Sequence, residues 1–290
     1  MGSTVVMLPD GKRLHLQHGP IDLVIQADGT GDEVLASYHQ AAQRFETMLT
    51  ELVGELAVLR IPAASDARLD GVVARRMREA ALPHTENFIT PMAAVAGAVA
   101  DEILASMVAG RRLDRAYVNN AGDIALHLGE GARYVAALVA DPVRARIVGR
   151  ATVTAAGPVR GLATSGRHGR SHSLGIADAV TVLAGNAAAA DAAATMIANA
   201  VDLPGSAKIS RAPASELYPE SDLGDRLVTV DVAGLSRADV AVALMTGQKH
   251  AANLATAGLI QSAFLCLDGV CRTVGGAIEM DLKPSLEKAE

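Results

Sequence analysis

Tryptophan is absent from this 290-residue chain, and only three Phe and four Tyr accompany its 27 glycines. Stacking of bases on aromatic platforms, the usual grip on single-stranded nucleic acid, therefore has few residues to draw on. With 26 basic against 32 acidic residues the net charge is −6, which argues against polyanion binding by the chain as a whole. No nucleic-acid partner is expected. Two cysteines, Cys266 and Cys271, are too few for a disulfide framework or a four-thiolate zinc site. Long hydrophobic runs are also missing. The longest apolar stretch, Pro91 to Ala100, stops at Asp101-Glu102, short of the ~18 residues that a membrane helix takes. The opening MGSTVVMLPDGKR lacks the apolar core of a secretory signal. These absences predict a cytoplasmic protein with no membrane contact and with its cysteines as thiols.

Half of the residues are apolar and 20% are charged, an ordinary globular balance. Ile21–Ile25 alternates as a strand does and meets a turn signal at Asp28-Gly29. From Asp32 to about Leu59 apolar residues recur at three and four, which predicts a long amphipathic helix ended by Arg60-Ile61-Pro62. Further helices are expected over Asp70–Leu82 and Met92–Met107. After Gly110 the period falls to two, giving strands over Ala116–Asn119, Asp123–Leu128, Tyr134–Ala140, Ala151–Ala155 and Asp178–Leu183. An Ala-rich helix over Ala187–Ala200 follows, with Asn186 as its N-cap. Val201 to Arg226 reads as loop, Leu227–Val232 as strand and Ala238–Ala255 as helix. Ile260–Leu267 and Val270–Val274 read as a hairpin turning on Asp268-Gly269. Without a regular β-α-β period the class is α+β, with helices covering mainly antiparallel sheet, in one domain with two lobes over residues 1–290.

Charge segregation is the most informative local feature. Between Pro142 and Ala177 there is no Asp or Glu but there are six arginines: Arg144, Arg146, Arg150, Arg160, Arg167 and Arg170. Within this stretch, Thr164, Ser165, Gly166, Arg167 and Arg170 offer hydroxyls, turning backbone amides and guanidinium groups, a set suited to phosphate or pyrophosphate. The alternative is a solvated loop whose arginines pair with acids elsewhere. Asp191 and Thr195, four apart on the Ala-rich helix, share a face and could ligate a hard cation such as Mg²⁺, although such pairs are common on helices. Asn119-Asn120-Ala121-Gly122-Asp123 joins two strands, either as a tight turn only or as a point where backbone approaches a ligand. His172 is a candidate general base near neutral pH, or a solvated loop histidine. Gly29-Thr30-Gly31 lacks the third glycine of a dinucleotide fingerprint, and no P-loop is present.

Taken in order, these segments resemble the ApbE family, flavin transferases that use Mg²⁺ and FAD. The resemblance rests on a small-residue helix ending in Asp (Ala93 to Asp101), an Asn-x-Gly-Gly-Asp-like turn (Asn119 to Asp123), Ala163-Thr164-Ser165-Gly166, His172, Val180-Thr181-Val182, and Ala190-Asp191-Ala192-Ala193-Ala194-Thr195. Gly19-Pro20-Ile21-Asp22 and Ile89-Thr90-Pro91-Met92-Ala93-Ala94 look more like an ApbE-related cytoplasmic branch than like the transferases proper. The resemblance implies a two-lobed ApbE-like fold with the ligand, a flavin nucleotide, in the cleft between the lobes. It implies Mg²⁺ held by Asp191, Thr195 and a backbone carbonyl at Val95, with His172 as base. Asn119, Gly122, Asp123, Thr164, Ser165, Gly166, Arg167 and Arg170 would serve the cofactor. The reaction implied is transfer of FMN from FAD to a Ser or Thr of a cytoplasmic acceptor protein, and a homodimer is a further expectation.

Three positions depart from the family pattern. Its Lys-Gly is Ala96-Gly97 here, its Gly-Gly-Asp is Ala121-Gly122-Asp123, and its Asp-Pro-Arg-Thr-Gly after the histidine is missing. Two other readings stay open: an enzyme for another pyrophosphate- or pterin-like cofactor, and a non-catalytic flavin- or nucleotide-binding protein.

Overall fold

The computed structural model describes residues 2–141, 146–169 and 171–280. In chain order the strands are β1 (Thr4–Met7), β2 (Leu14–His18), β3 (Ile21–Gly29), β4 (Leu113–Asn120), β5 (Asp123–Leu128), β6 (Arg133–Asp141), β7 (Arg146–Thr154), β8 (Gly161–Ser165), β9 (Ala179–Ala184), β10 (Ile209–Pro213), β11 (Leu227–Val232), β12 (Ser262–Leu267), β13 (Val270–Val274) and β14 (Ile278–Met280). The helices are α1 (Gly31–Gly54), α2 (Leu56–Leu59), α3 (Val72–Ala81), α4 (Val95–Val108), α5 (Ala187–Ala200), α6 (Ala214–Leu217) and α7 (Arg237–Thr256), with 3-10 turns at Leu82–His84 and Pro91–Ala94.

Among the described residues the strands form three antiparallel sheets, as the α+β class requires. One has nine strands in the order β1-β2-β3-β4-β5-β8-β9-β12-β13, one pairs β10 with β11, and one runs β14-β7-β6. The pleat of the large sheet sorts its side chains. Val180, Val182, Ala263 and Leu265 point to the side of α5 and α7. Leu183, Phe264 and Cys266 point the other way, onto Leu138, Ala151 and Val153 of the small sheet. Under β2, β3 and β4, Leu16, Leu23, Ile25 and Val118 meet Phe45 and Met48 of α1 and Ile103 and Met107 of α4. One face of the sheet is thus roofed by helices along its length, and the other is covered in part by a second sheet.

Helix α5 is the hub. Nine of its fourteen residues are buried, among them Ala187, Ala188, Ala190, Ala192, Ala193, Ala194 and Ala198. Small side chains let neighbours approach closely: a Cβ on Gly97 of α4 would stand 2.3 Å from the Ala187 carbonyl, and one on Gly161 of β8 2.0 Å from the Asn186 carbonyl carbon. The N-terminus of α5 is capped twice. Asn186 Oδ1 accepts from the Ala189 amide at 2.8 Å, as its sequence position predicts, and Asp101 of α4 accepts from the Ala187 and Ala188 amides at 3.0 and 2.9 Å.

Several expectations are corrected. Asp28-Gly29 does not end the strand but continues β3 against β4. Val201–Arg226 is not only loop, since it contains β10 and α6. The Thr164-Ser165 segment is strand β8, and β1, β2 and β14 were not legible. The helical stretch Pro91–Val108 does reach 18 residues, and by length and composition alone it could cross a membrane. Its acids do not interrupt it because the fold satisfies them: Asp101 caps α5, and Glu102 pairs with Arg44 at 2.9 Å and Arg76 at 3.1 Å.

Candidate functional site

A cavity of about 490 Å³ opens beside α5. Asp191, Thr195 and Asn199 follow one another at intervals of four, so one stripe of the helix faces it. Val95 and Ala96 enter from the first turn of α4, Asp123 from the start of β5, His172 from the segment before β9, and Phe88 to Ala93 from the 3-10 turn region. The structure therefore brings His172, Asp123, Asp191, Thr195 and Val95 to one wall system, although they are spread over about a third of the chain.

Asp191 and Asp123 keep surface toward the cavity but are set deep in the protein. Asp191 Oδ2 accepts from the Gly97 amide at 3.0 Å. Burial, and then the charge of Asp123, hold its carboxyl well above the usual carboxylate range. Asp123 Oδ1 accepts from the Thr164 amide at 3.2 Å, yet burial pushes its carboxyl up to about 7. Two carboxylates that resist ionising together, beside a threonine hydroxyl, form an all-oxygen donor set for a hard divalent cation. The oxygen donors present are of the kind that Mg²⁺ takes, with two protein carboxylates rather than three; among the described residues no group of three or more His, Cys, Asp or Glu that could hold a metal ion occurs.

The Asn119–Asp123 segment is a two-residue hairpin turn between β4 and β5. Ala121 and Gly122 both have positive φ, 54° and 112°, and Asn119 Oδ1 accepts from the Gly122 amide at 2.8 Å. Asn119 and Gly122 build this turn without lining the cavity, while the turn delivers Asp123 to it. Thr164, Ser165 and Gly166 lie at the end of β8, outside the lining. Thr164 Oγ1 hydrogen-bonds Thr181 Oγ1 at 2.8 Å. Arg167 binds Asp178 through Nε and Nη2, at 2.9 and 2.8 Å. Arg160 donates to the carbonyls of Ala155, Gly157 and Val159. Arg144 and Arg170 lie outside the described residues.

Three features of the site had no place in the sequence reading. Asn199, one turn beyond Thr195, accepts from the Leu174 amide at 3.0 Å and so holds the segment just after His172 against α5; helical spacing places it on the face of Asp191, but nothing in the sequence names Leu174 as its partner. Gly175 makes this contact possible, because a Cβ there would fall 2.1 Å from the Ala198 carbonyl. The second feature is the tip of the β10–β11 hairpin, which forms a wall with Leu217, Tyr218, Glu220 and Asp222. It is tied across the mouth by Arg60–Glu220 at 2.8 Å, by Thr90 Oγ1 donating to Asp222, and by Arg226 lying 3.2 Å over the Phe88 ring. The third is the charge of the wall. Among the described lining residues Asp123, Asp191, Glu220 and Asp222 face a single arginine, Arg60.

The chain is similar to several known proteins. A UPF0280 protein of Methanopyrus kandleri is 33% identical over 183 residues, 61% of this chain and 69% of that one. A UPF0280 protein of Methanobrevibacter smithii is 33% identical over 149 residues, covering 50% of this chain and 61% of its own length, so the chain spans less than two thirds of that relative. Among solved structures, the apo form of the flavinyl transferase ApbE of Pseudomonas stutzeri aligns with a TM-score of 0.48 and 12% identity, over 94% of this chain and 95% of that one. The family model described as AbpE bacteria matches residues 5–278, nearly the whole chain, and the protein belongs to that family.

Proposed function

We propose that the protein binds a flavin nucleotide together with Mg²⁺ and transfers FMN from FAD to a hydroxyl of a cytoplasmic acceptor protein. The observation that carries this reading is the convergence of Asp123, Asp191, Thr195 and His172 on one cavity of about 490 Å³. Asp191, Thr195 and Asp123, with backbone at Val95, would hold the metal, which when bound would neutralise charge on the pyrophosphate. His172 is the group suited to take the proton of the acceptor hydroxyl. Asn199 keeps the His172 segment against the same helix that presents Asp191, so base and anion site share one rigid support. Leu217 and Tyr218 of the hairpin wall, with Phe88 and Met92, offer apolar surface for a ring system.

The acidic wall makes a further demand. A pyrophosphate cannot enter a space shared by two adjacent carboxylates until a cation offsets them, so FAD affinity should depend strictly on the divalent ion. The same acidity, with Ala96 where the family has Lys, favours as second reading a binding protein without turnover. The experiment measures Mg²⁺-dependent release of AMP from FAD in the presence of proteins from the same cell. Wild type should release AMP, and His172→Ala should bind FAD normally while losing about 10²- to 10⁴-fold in rate. Tight FAD binding with no release for any acceptor would favour the second reading, and no Mg²⁺-dependent FAD binding would sink both.

A further inference from the structure

Cys266 and Cys271 stand directly opposite each other across the β12–β13 hairpin, with their sulfurs 3.0 Å apart. The register explains the approach. Leu267 and Val270 flank the two-residue turn Asp268-Gly269, and the pair that closes such a turn exchanges backbone hydrogen bonds. The next pair outward, Cys266 with Cys271, is then a non-hydrogen-bonded pair, in which Cα atoms lie about 4.5 Å apart and side chains come closest. That separation falls within the span of a disulfide. Asp268 and Gly269 both take positive φ, 48° and 72°, so the turn holds the register without slack.

The two sulfurs differ in access. Cys266 is fully buried with Leu183 and Phe264 between the large and small sheets. Cys271 is half-buried, because β13 is the edge strand of the large sheet. Cys271 is the less buried of the two and the one for a small disulfide to reach first, and Cys266 waits beside it, an arrangement in which the second step is intramolecular and fast.

We propose that Cys266 and Cys271 are a reversible dithiol–disulfide couple, loaded by exchange with small disulfides of the glutathione class. The thiolate of Cys271 attacks one sulfur of glutathione disulfide; the S–S bond breaks and one glutathione leaves. Cys266, as thiolate, then attacks the Cys271 sulfur of the mixed disulfide and expels the second glutathione. The two thiol protons end on the two released glutathiones, so the protein is oxidised by two electrons and the glutathione disulfide is reduced by two. The hairpin is buckled to the body by one acid: the Asp178 amide donates to the Cys266 carbonyl at 2.9 Å, and Asp178 Oδ2 accepts from the Asp268 amide at 2.6 Å. Neither cysteine lines the cavity, so this site stands or falls independently of the flavin reading.

The test equilibrates the full chain with mixtures of reduced and oxidised glutathione, starting from both the reduced and the oxidised protein. Samples are quenched in acid, alkylated under denaturing conditions and weighed. At oxidising ratios the peptide carrying both cysteines should refuse alkylation and be lighter by two hydrogens. The same fraction should be reached from either direction, and dithiothreitol should restore both thiols. In Cys266→Ser the remaining Cys271 should hold one glutathione, whereas in Cys271→Ser the buried Cys266 should stay reduced. Full alkylation of both residues at the most oxidising ratio would overturn the proposal. So would a glutathione adduct that persists on wild-type Cys271 without closing, or disulfide-linked dimers in place of the internal bond. If the serine variants do not fold, the wild-type titration decides alone.

Discussion

Asp191 is where burial and charge conflict most. It is desolvated, faces Asp123, and is relieved only in part by the Gly97 amide. Asp191→Asn keeps an oxygen for that amide and removes one of the two opposed charges. In metal-free buffer near pH 8 the variant should melt higher than wild type, while Mg²⁺ and FAD binding fall by at least about tenfold. Calorimetry and thermal melts read the two effects, and a variant that melts lower yet binds Mg²⁺ normally would remove the metal assignment. Arg167 presents the opposite case. Sequence reading offered it to a phosphate, but both it and Asp178 are largely buried in a two-bond pair. Arg167→Gln should therefore cost roughly 1–3 kcal/mol in urea unfolding, because Asp178 keeps its charge and loses its guanidinium partner, with only His168 and the Asp268 amide left on it, and should leave nucleotide affinity nearly unchanged. Weakened FAD binding at unaltered stability would restore the anion role.

At the scale of elements, the α4–α5 crossing and the β4–β5 turn decide where the acids stand. Gly97→Ala adds helix propensity yet would drive a methyl to 2.3 Å from the Ala187 carbonyl. The expected net effect is a loss of about 2 kcal/mol or more, with Asp191 displaced from the Gly97 amide and Mg²⁺ affinity reduced alongside. Chemical denaturation checks the first and calorimetry the second; wild-type stability would mean that the helices do not meet at this glycine. The turn contains a residue that local rules disfavour, since Ala121 holds φ at 54°. Ala121→Gly relieves that strain at some cost in unfolded-chain entropy, and a gain of roughly 0.5–1 kcal/mol is expected. A loss would show that the methyl packs on something that offsets its conformation.

For the whole molecule, two kinds of buried group give opposite pH dependences. Asp123, ordinarily near 3.8, is raised to about 7, so the unfolded chain releases its proton first. The stability it contributes is complete below about pH 4 and is lost as pH rises through 7. His84, ordinarily near 6.5, is lowered to about 4 by burial and then by His250. Its contribution is complete above about pH 6.5 and is lost as pH falls through 4. A cation on Asp123 and Asp191 cancels the first effect and leaves the second. The rise in Tm that Mg²⁺ confers should accordingly be close to nil at pH 5 and grow steadily to pH 8. Melting curves with and without Mg²⁺ across that range test it, and a pH-independent shift would place the cation elsewhere.

How much of this was legible differs by the distance over which each feature is encoded. Periodicity within one segment determined β5, α5 and β11 to the residue, along with the Asn186 cap and the Asp268-Gly269 turn. Those features depend on neighbours three or four positions away, and burial on one face writes itself into the pattern. Asp191 and Thr195 were visible as a shared helix face for the same reason. Strand β8 was not, because Gly161-Leu162-Ala163-Thr164-Ser165 carries no alternation and is a strand only through pairing with β5 and β9. The partner of Arg167, the Asn199 anchor and the acidic wall over the cavity were likewise invisible. Each is set by which side chain the sheet order places opposite another, and a residue's charge partner and desolvation belong to the packed fold rather than to its own stretch of chain.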